Sequence, residues 1–181
     1  WLEVLDYVYD WANGETTQLN VAKKITEGIY YFEDQDGDID YGPGKRYFDF
    51  IDIATGSFKL RDFFDDTDTK STVEVNCFDC AGLVSIFSAS VGIQAYIKEI
   101  SDNNDGLQTN EINPVGENSQ YVEINNLDPD GDGWISCTWN EHAFAFINNL
   151  VFDATLRVDK GAPKIPAKMA EDTYIPLFLE D

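Results

Sequence analysis

The chain is poor in the residues that many chemistries depend on. In 181 residues it contains one histidine, His142, and three cysteines, Cys77, Cys80 and Cys137. Three cysteines are too few for a disulfide scaffold, and the odd count leaves at least one without an intrachain partner. One nucleophilic thiol plus a Cys80–Cys137 disulfide fits that number, and so do three buried thiols. Bases are scarce too: 12 Lys and Arg stand against 34 Asp and Glu, a formal net charge of −22. That balance argues against nucleic acid and anionic membrane surfaces as partners, because both would be repelled. No apolar run approaches the ~20 residues that span a bilayer, so no membrane insertion is expected. Neither an initiating Met nor a signal-peptide pattern stands at Trp1, which predicts a mature form or a domain of a longer protein.

What is present is apolar and aromatic. At 43% hydrophobic and 14% aromatic residues, the composition predicts a folded globule rather than an acidic disordered tail. The length suits one domain. Leu2, Val4, Leu5, Val8 and Trp11 have helical spacing, ended by Asn13-Gly14. Thr16-Thr17 can cap a second helix through Leu19, Val21, Ala22, Ile25 and Ile29. Residues 47–53 read as a strand, and 55–72 as polar and irregular. The most apolar helix covers 78–91, with Gly92 at its C-cap. A strand over 93–100, a long polar loop over 101–118, and strands at 121–124 and 134–138 follow. Pro163, Pro166 and Pro176 predict an extended strap over 156–181. With no internal repeat and no clean linker, this order reads as α+β in one domain over 1–181, the amino-terminal helices occupying 1–31.

The sole histidine lies in a distinctive place. Two apolar runs flank Asn148-Asn149, which predicts a β-hairpin with a two-residue turn, because Asn tolerates positive φ. Ile147 then pairs with Leu150, Ala145 with Phe152, and Phe144 with Asp153. Side chains alternate along a strand, so Ala143, Ala145, Ile147, Leu150, Phe152 and Ala154 share one apolar face. His142 and Asp153 share the other as diagonal neighbours, ~7–8 Å apart between α-carbons, a gap their side chains can close. A His held by an Asp is two-thirds of a nucleophilic triad. The alternative is a structural His–Asp hydrogen bond.

Cys77 is the best-placed nucleophile. It opens the apolar helix, where unpaired amides and the positive dipole end stabilise a thiolate and can donate to an oxyanion. Asp79 also suits the first turn, but pointing inward it would oppose ionisation of Cys77. Two other readings compete. Cys77 and Cys80 are small core residues in one. In the other, Cys77-x-x-Cys80 joins Cys137 and His142 as a zinc set, with Asp153 behind His142.

The pattern Cys77-x-Asp79-x-Ala81, an apolar helix, Gly92-Ile93, then His142-Ala143-Phe144 and Phe152-Asp153-Ala154-Thr155 resembles the transglutaminase-like superfamily. The likeness runs from about Val75 to Thr155. It implies a papain-like α+β fold, with the nucleophile at the start of a central helix packed on an antiparallel β-sheet and a catalytic core over 75–155. It also implies catalytic roles for Cys77, His142 and Asp153 in cysteine-nucleophile acyl transfer or hydrolysis at an amide of a protein or peptide. Cys80 matches no role in that pattern. The family's further oxyanion-stabilising side chain has no assigned counterpart, and Asn76 and Trp139 are neighbours to test. The superfamily also contains members without activity, so a calcium-stabilised binding or scaffold module is the rival expectation.

Acid clusters supply the calcium expectation. Asp128-x-Asp130-x-Asp132-Gly133-x-Ile135 has the first half of an EF-hand loop, but position 12 is Trp139, which excludes a complete one. A distant carboxylate such as Glu141 could complete the shell. Asp34, Asp36, Asp38 and Asp40 form a poorer match, with Gly37 one position early. The alternative is a solvated turn, since Asp and Gly favour turns without a metal. Structural calcium, no organic cofactor and an extracytoplasmic setting complete the expectations.

Overall fold

Thr17 starts the second helix much as its position predicts: its backbone is extended and its side chain accepts from the Asn20 amide at 3.3 Å. The computed structural model describes residues 1–32, 38–42, 47–49, 57–102, 105–116, 127–128 and 130–180. Among them are five helices: α1 (Leu2–Ala12), α2 (Gln18–Tyr30), α3 (Leu60–Thr67), α4 (Cys77–Ser90) and α5 (Glu171–Phe178). The strands are β1 (Asp38–Tyr41), β2 (Phe48–Asp49), β3 (Ser57–Phe58), β4 (Thr72–Val75), β5 (Tyr96–Ser101) and β6 (Leu107–Gln108). They continue with β7 (Asn113–Pro114), β8 (Thr138–Trp139), β9 (Glu141–Ile147), β10 (Leu150–Phe152), β11 (Leu156–Arg157) and β12 (Ala167–Ala170). The architecture is α+β. No helix among the described residues is long and apolar enough to cross a membrane.

The main sheet is antiparallel, in the order β12-β10-β9-β5. Asn148 and Asn149 turn β9 into β10 with φ of 50° and 63°, the left-handed pair that a type I′ turn requires. Ile147 pairs with Leu150 and Ala145 with Phe152, the register read from the sequence. Ala143, Ala145, Ile147, Phe152 and Ala154 are at most 1% exposed. α4 packs against β9, and the larger core joins this face to Leu83, Val84 and Phe87 of α4, Ile25 and Ile29 of α2, and Val4 and Val8 of α1. The opposite face carries a second core in which Phe144 and Val151 meet Leu156, Val158, Tyr174 and Phe178.

Several expectations need correction. The stretch 55–72 is not irregular: Leu60, Phe63, Phe64 and Thr67 fall at i, i+3, i+4 and i+7, so α3 buries the last three of them and leaves most of its acids outward. The acidic run ends in a strand, because Ile39, 2% exposed, draws β1 into parallel pairing with β4. The loop at 101–118 contains β6 and β7. Toward 134–138, Ile135 makes only an isolated bridge with Ile112, and the short pair β6–β8 begins at Thr138. The strap contains a helix: Tyr174 and Phe178, one turn apart, are both fully buried, and Glu171 and Asp172 suit the first turn of α5 despite Pro176. Residues 121–124 and 50–53 of the expected strands, with Asp34 and Asp36, lie outside the described residues.

Candidate active site

The amino terminus of α4 is built by its own residues. Asn76 is the N-cap, and its Oδ1 accepts from the amides of Phe78 and Asp79 at 3.0 and 3.2 Å. The Asp79 carboxylate returns the bond to the Asn76 amide at 3.2 Å, closing a capping box. Its other oxygen accepts from the amides of Tyr47 and Phe48, both at 2.8 Å. Asp79 is therefore fully buried but held by three backbone donors. The arrangement narrows the oxyanion expectation. The second and third amides of the helix are taken by Asn76, whereas the Cys77 amide makes no hydrogen bond among the described residues. Gly82, one turn on, brings Phe48 and Phe58 close: an added Cβ would lie 2.7 Å from the Phe58 ring. That approach packs β2 and β3 against α4 beside Cys77.

His142 and Asp153 meet, with His142 Nε2 2.9 Å from Asp153 Oδ2, although the β9–β10 ladder ends at the Ala145–Phe152 pair and the expected Phe144–Asp153 pair is not formed. Asp153 follows a register shift in β10 and leaves the sheet. Its amide donates to the Pro166 carbonyl at 2.7 Å, and its Oδ1 accepts from the Thr155 amide at 2.8 Å, an Asx-type turn that fixes the rotamer. Oδ2 accepts a second bond, from the Tyr174 hydroxyl at 2.8 Å. The sequence reading missed Tyr174 because the prolines of the tail mask its helix. The usable signal was Tyr174-x-x-x-Phe178 behind two acids.

Rings enclose the imidazole. Phe178, Trp139 and Phe144 lie 4.7, 5.0 and 6.1 Å from its centre, and Tyr41 stacks on Trp139 at 5.4 Å. His142 has no exposed surface, and Cys77 and Asp153 are 6% and 1% exposed. The other ring nitrogen, Nδ1, is buried and has no hydrogen-bond partner, and Cys77 acts electrostatically on the ring as a whole. Burial by itself favours neutral imidazole. The Asp153 charge and hydrogen bond, with Cys77 behind them, outweigh it and raise the His142 pKa to about 9. A shift in this direction favours the imidazolium form.

No protein-family model, curated protein or solved structure matches this chain. The chemistry therefore rests on its own residues, and the other two cysteines sharpen it. All three thiols are free, so of the two readings of the cysteine count the one with a Cys80–Cys137 disulfide does not hold. Cys80 lies in the α4-side core, whereas Cys137 packs in the α5-side core near Thr109. This separation also breaks up the zinc set. Burial pushes both thiols above their ordinary pKa, strongly for Cys80, where the charges of Asp79 and Asp153 add to it.

The acidic turn stands apart from this cluster. Asp128 Oδ1 accepts from the amides of Gly131 and Asp132, and Oδ2 from Gly133 at 2.7 Å. Asp132 accepts from the Trp134 amide at 3.0 Å and pairs with Lys160 at 2.7 Å, while Asp130 is exposed. Among the described residues no three acid, histidine or cysteine side chains are grouped as a metal would require. Asp38 and Asp40 belong to β1 rather than to a loop.

Proposed function

We propose that the chain is a transglutaminase-like, papain-like cysteine enzyme acting on amide carbonyls of proteins or peptides. One observation carries the reading. The only histidine is bonded through Nε2 to a buried carboxylate, its buried Nδ1 has no hydrogen-bond partner, and its ring interacts electrostatically with a cysteine that opens a helix. A raised His142 pKa favours the imidazolium, the partner a Cys77 thiolate needs.

In this reaction the Cys77 thiolate adds to the amide carbon, forming a C–S bond and moving the carbonyl π pair onto oxygen. The unoccupied Cys77 amide is the donor for that oxyanion. The C–N bond breaks as His142 passes its proton to the departing amine. Water or a second amine then adds to the thioester and gives a proton to His142. The C–S bond breaks, returning thiolate and imidazolium. Asp153 holds the ring throughout and stabilises its charged form. Calcium enters no step. At the Asp128 turn it would be a structural ion that draws Asp132 off Lys160, and a melting temperature unmoved by millimolar calcium would remove it from the proposal.

The test is glutamine–amine transfer and peptide hydrolysis by wild type and Cys77→Ala, together with iodoacetamide labelling at slightly acidic pH. Activity lost in Cys77→Ala, with Cys77 labelled well ahead of Cys80 and Cys137, is expected. Equal, slow labelling of all three would sink the enzymatic reading. The rival, a non-catalytic binding module, is favoured by the near-complete burial of the three residues. It predicts no acyl transfer with any substrate and slow labelling throughout.

A further inference from the structure

The carboxyl-terminal helix contributes a polar group to a place where the core alone would take an apolar one. Tyr174 is fully buried. A hydroxyl at that depth costs free energy unless it is bonded, so a phenylalanine would fill the same core with less penalty. Its hydroxyl must be the donor toward Asp153 Oδ2, because a carboxylate only accepts. The same oxygen faces His142 Nε2, so Tyr174 and His142 share one acceptor while the Thr155 amide occupies the other.

The hydroxyl is held in place from several sides. Tyr174 stacks on Phe178 at 5.5 Å with 4° between the planes and meets Phe144 edge-on at 5.2 Å. At the start of α5, Glu171 pairs with Lys98 of β5 at 2.5 Å. At its end, the Asn110 amide donates to the Phe178 carbonyl at 2.9 Å, Asn110 Nδ2 to the Leu179 carbonyl at 2.8 Å, and the Glu180 amide to the Gln108 carbonyl at 3.0 Å. Nothing in the core requires that the clasped helix deliver an O–H to Asp153.

We infer that Tyr174 is a positioning residue: its hydroxyl holds the Asp153 carboxylate in the rotamer that keeps His142 turned toward Cys77, making α5 a working part of the site. The inference rests on the Cys77–His142–Asp153 reading above. Asp153 and Cys77 both act electrostatically on His142 and on Tyr174. The other ionisable groups on the packed elements are Asp79 and Cys80 of α4, Tyr96, Lys98 and Glu99 of β5, Glu141 of β9, Lys168 of β12, and Glu171 and Asp172 of α5. Of these only Asp79 and Cys80 are fully buried. Removing the Tyr174 donor leaves the Asp153 charge to bear more fully on His142.

Tyr174→Phe keeps the ring and removes only the hydroxyl. Because the chain has one histidine, its imidazole proton resonances report His142 directly, whether or not a substrate is known. The expected result is an upward move of the His142 titration midpoint. With a working amide substrate, kcat falls roughly tenfold, the size of one charge-assisted hydrogen bond, while KM stays unchanged. Ile175→Ala, which loosens the same helix without touching Asp153, should leave the titration in place. A folded Tyr174→Phe whose His142 titration matches wild type overturns the inference. Should that variant not fold, the wild-type hydroxyl proton decides. A slowly exchanging signal with a cross-peak to the His142 ring supports the inference, and its absence overturns it. The two proposals fail separately: a wild-type chain inert on amides, with His142 still shifted by Tyr174→Phe, would remove the enzyme and leave the coupling.

Discussion

The two faces of the central sheet put the same strand to different uses. On the α4 face, Ala145 and Ile147 of β9 complete the larger core with α1, α2 and α4, and Ala143 packs in a small cluster with Cys77, Phe78 and Ala81. On the α5 face, the alternate residue Phe144 lies in a smaller aromatic core, and His142 sits beside it with Asp153 and Tyr174. Stability on the first face comes from apolar area removed from water. On the second, a buried ion pair must be compensated bond by bond, since desolvation penalises each charge and a half-satisfied pair is strongly destabilising. A polar site can therefore be carried where the fold has core to spare on the opposite side.

Three experiments separate the faces. Asp153→Asn should have the largest effect: under the proposed acyl-transfer function it lowers activity by roughly 10⁴-fold, as when a catalytic histidine loses its orienting carboxylate. It should also lower thermal stability, because His142 stays buried without its counter-charge. Retained activity in this variant would dissolve the contrast. Phe87→Ala cuts the α4-side core, where Phe87 is fully buried, and should cost about 3–5 kcal/mol in denaturant unfolding. Activity per folded molecule should stay near wild type. If activity fell in proportion to that loss, the faces would not be separable.

The smallest effect is on pH dependence. The His142 pKa is raised in the fold, from 6.5 to about 9. A group so raised contributes stability that is fully present below the unfolded value and is lost as pH rises through the folded one. Stability should thus decline from about pH 6.5 to about pH 9, and His142→Phe should lack that decline. Alkaline melts of the two proteins provide the comparison, and parallel curves would mean that His142 is neutral in the fold.

Much of the site was legible without coordinates. The Asn148-Asn149 turn sets the hairpin register, and with a side-chain period of two the register sets which residues share a face with His142. Asn76 and Asp79 flank Cys77 at capping-box spacing, which places the thiol at a helix start. The tail and 55–72 misled for one reason: prolines and acids dominate their local signal, whereas burial of Tyr174, Phe178, Phe63 and Phe64 against distant partners decides their conformation.

The sequence by itself determined the hairpin, the helix that Cys77 opens and the pairing of His142 with Asp153, because turn chemistry, capping and alternation act over a few residues. Tertiary structure alone decided that Cys77 and His142 interact electrostatically, that aromatic rings close over the imidazole, that Cys80 and Cys137 lie apart, and that Tyr174 returns from the end of the chain to share Asp153 with His142. Those are contacts between residues far apart in the chain, and only packing brings them together.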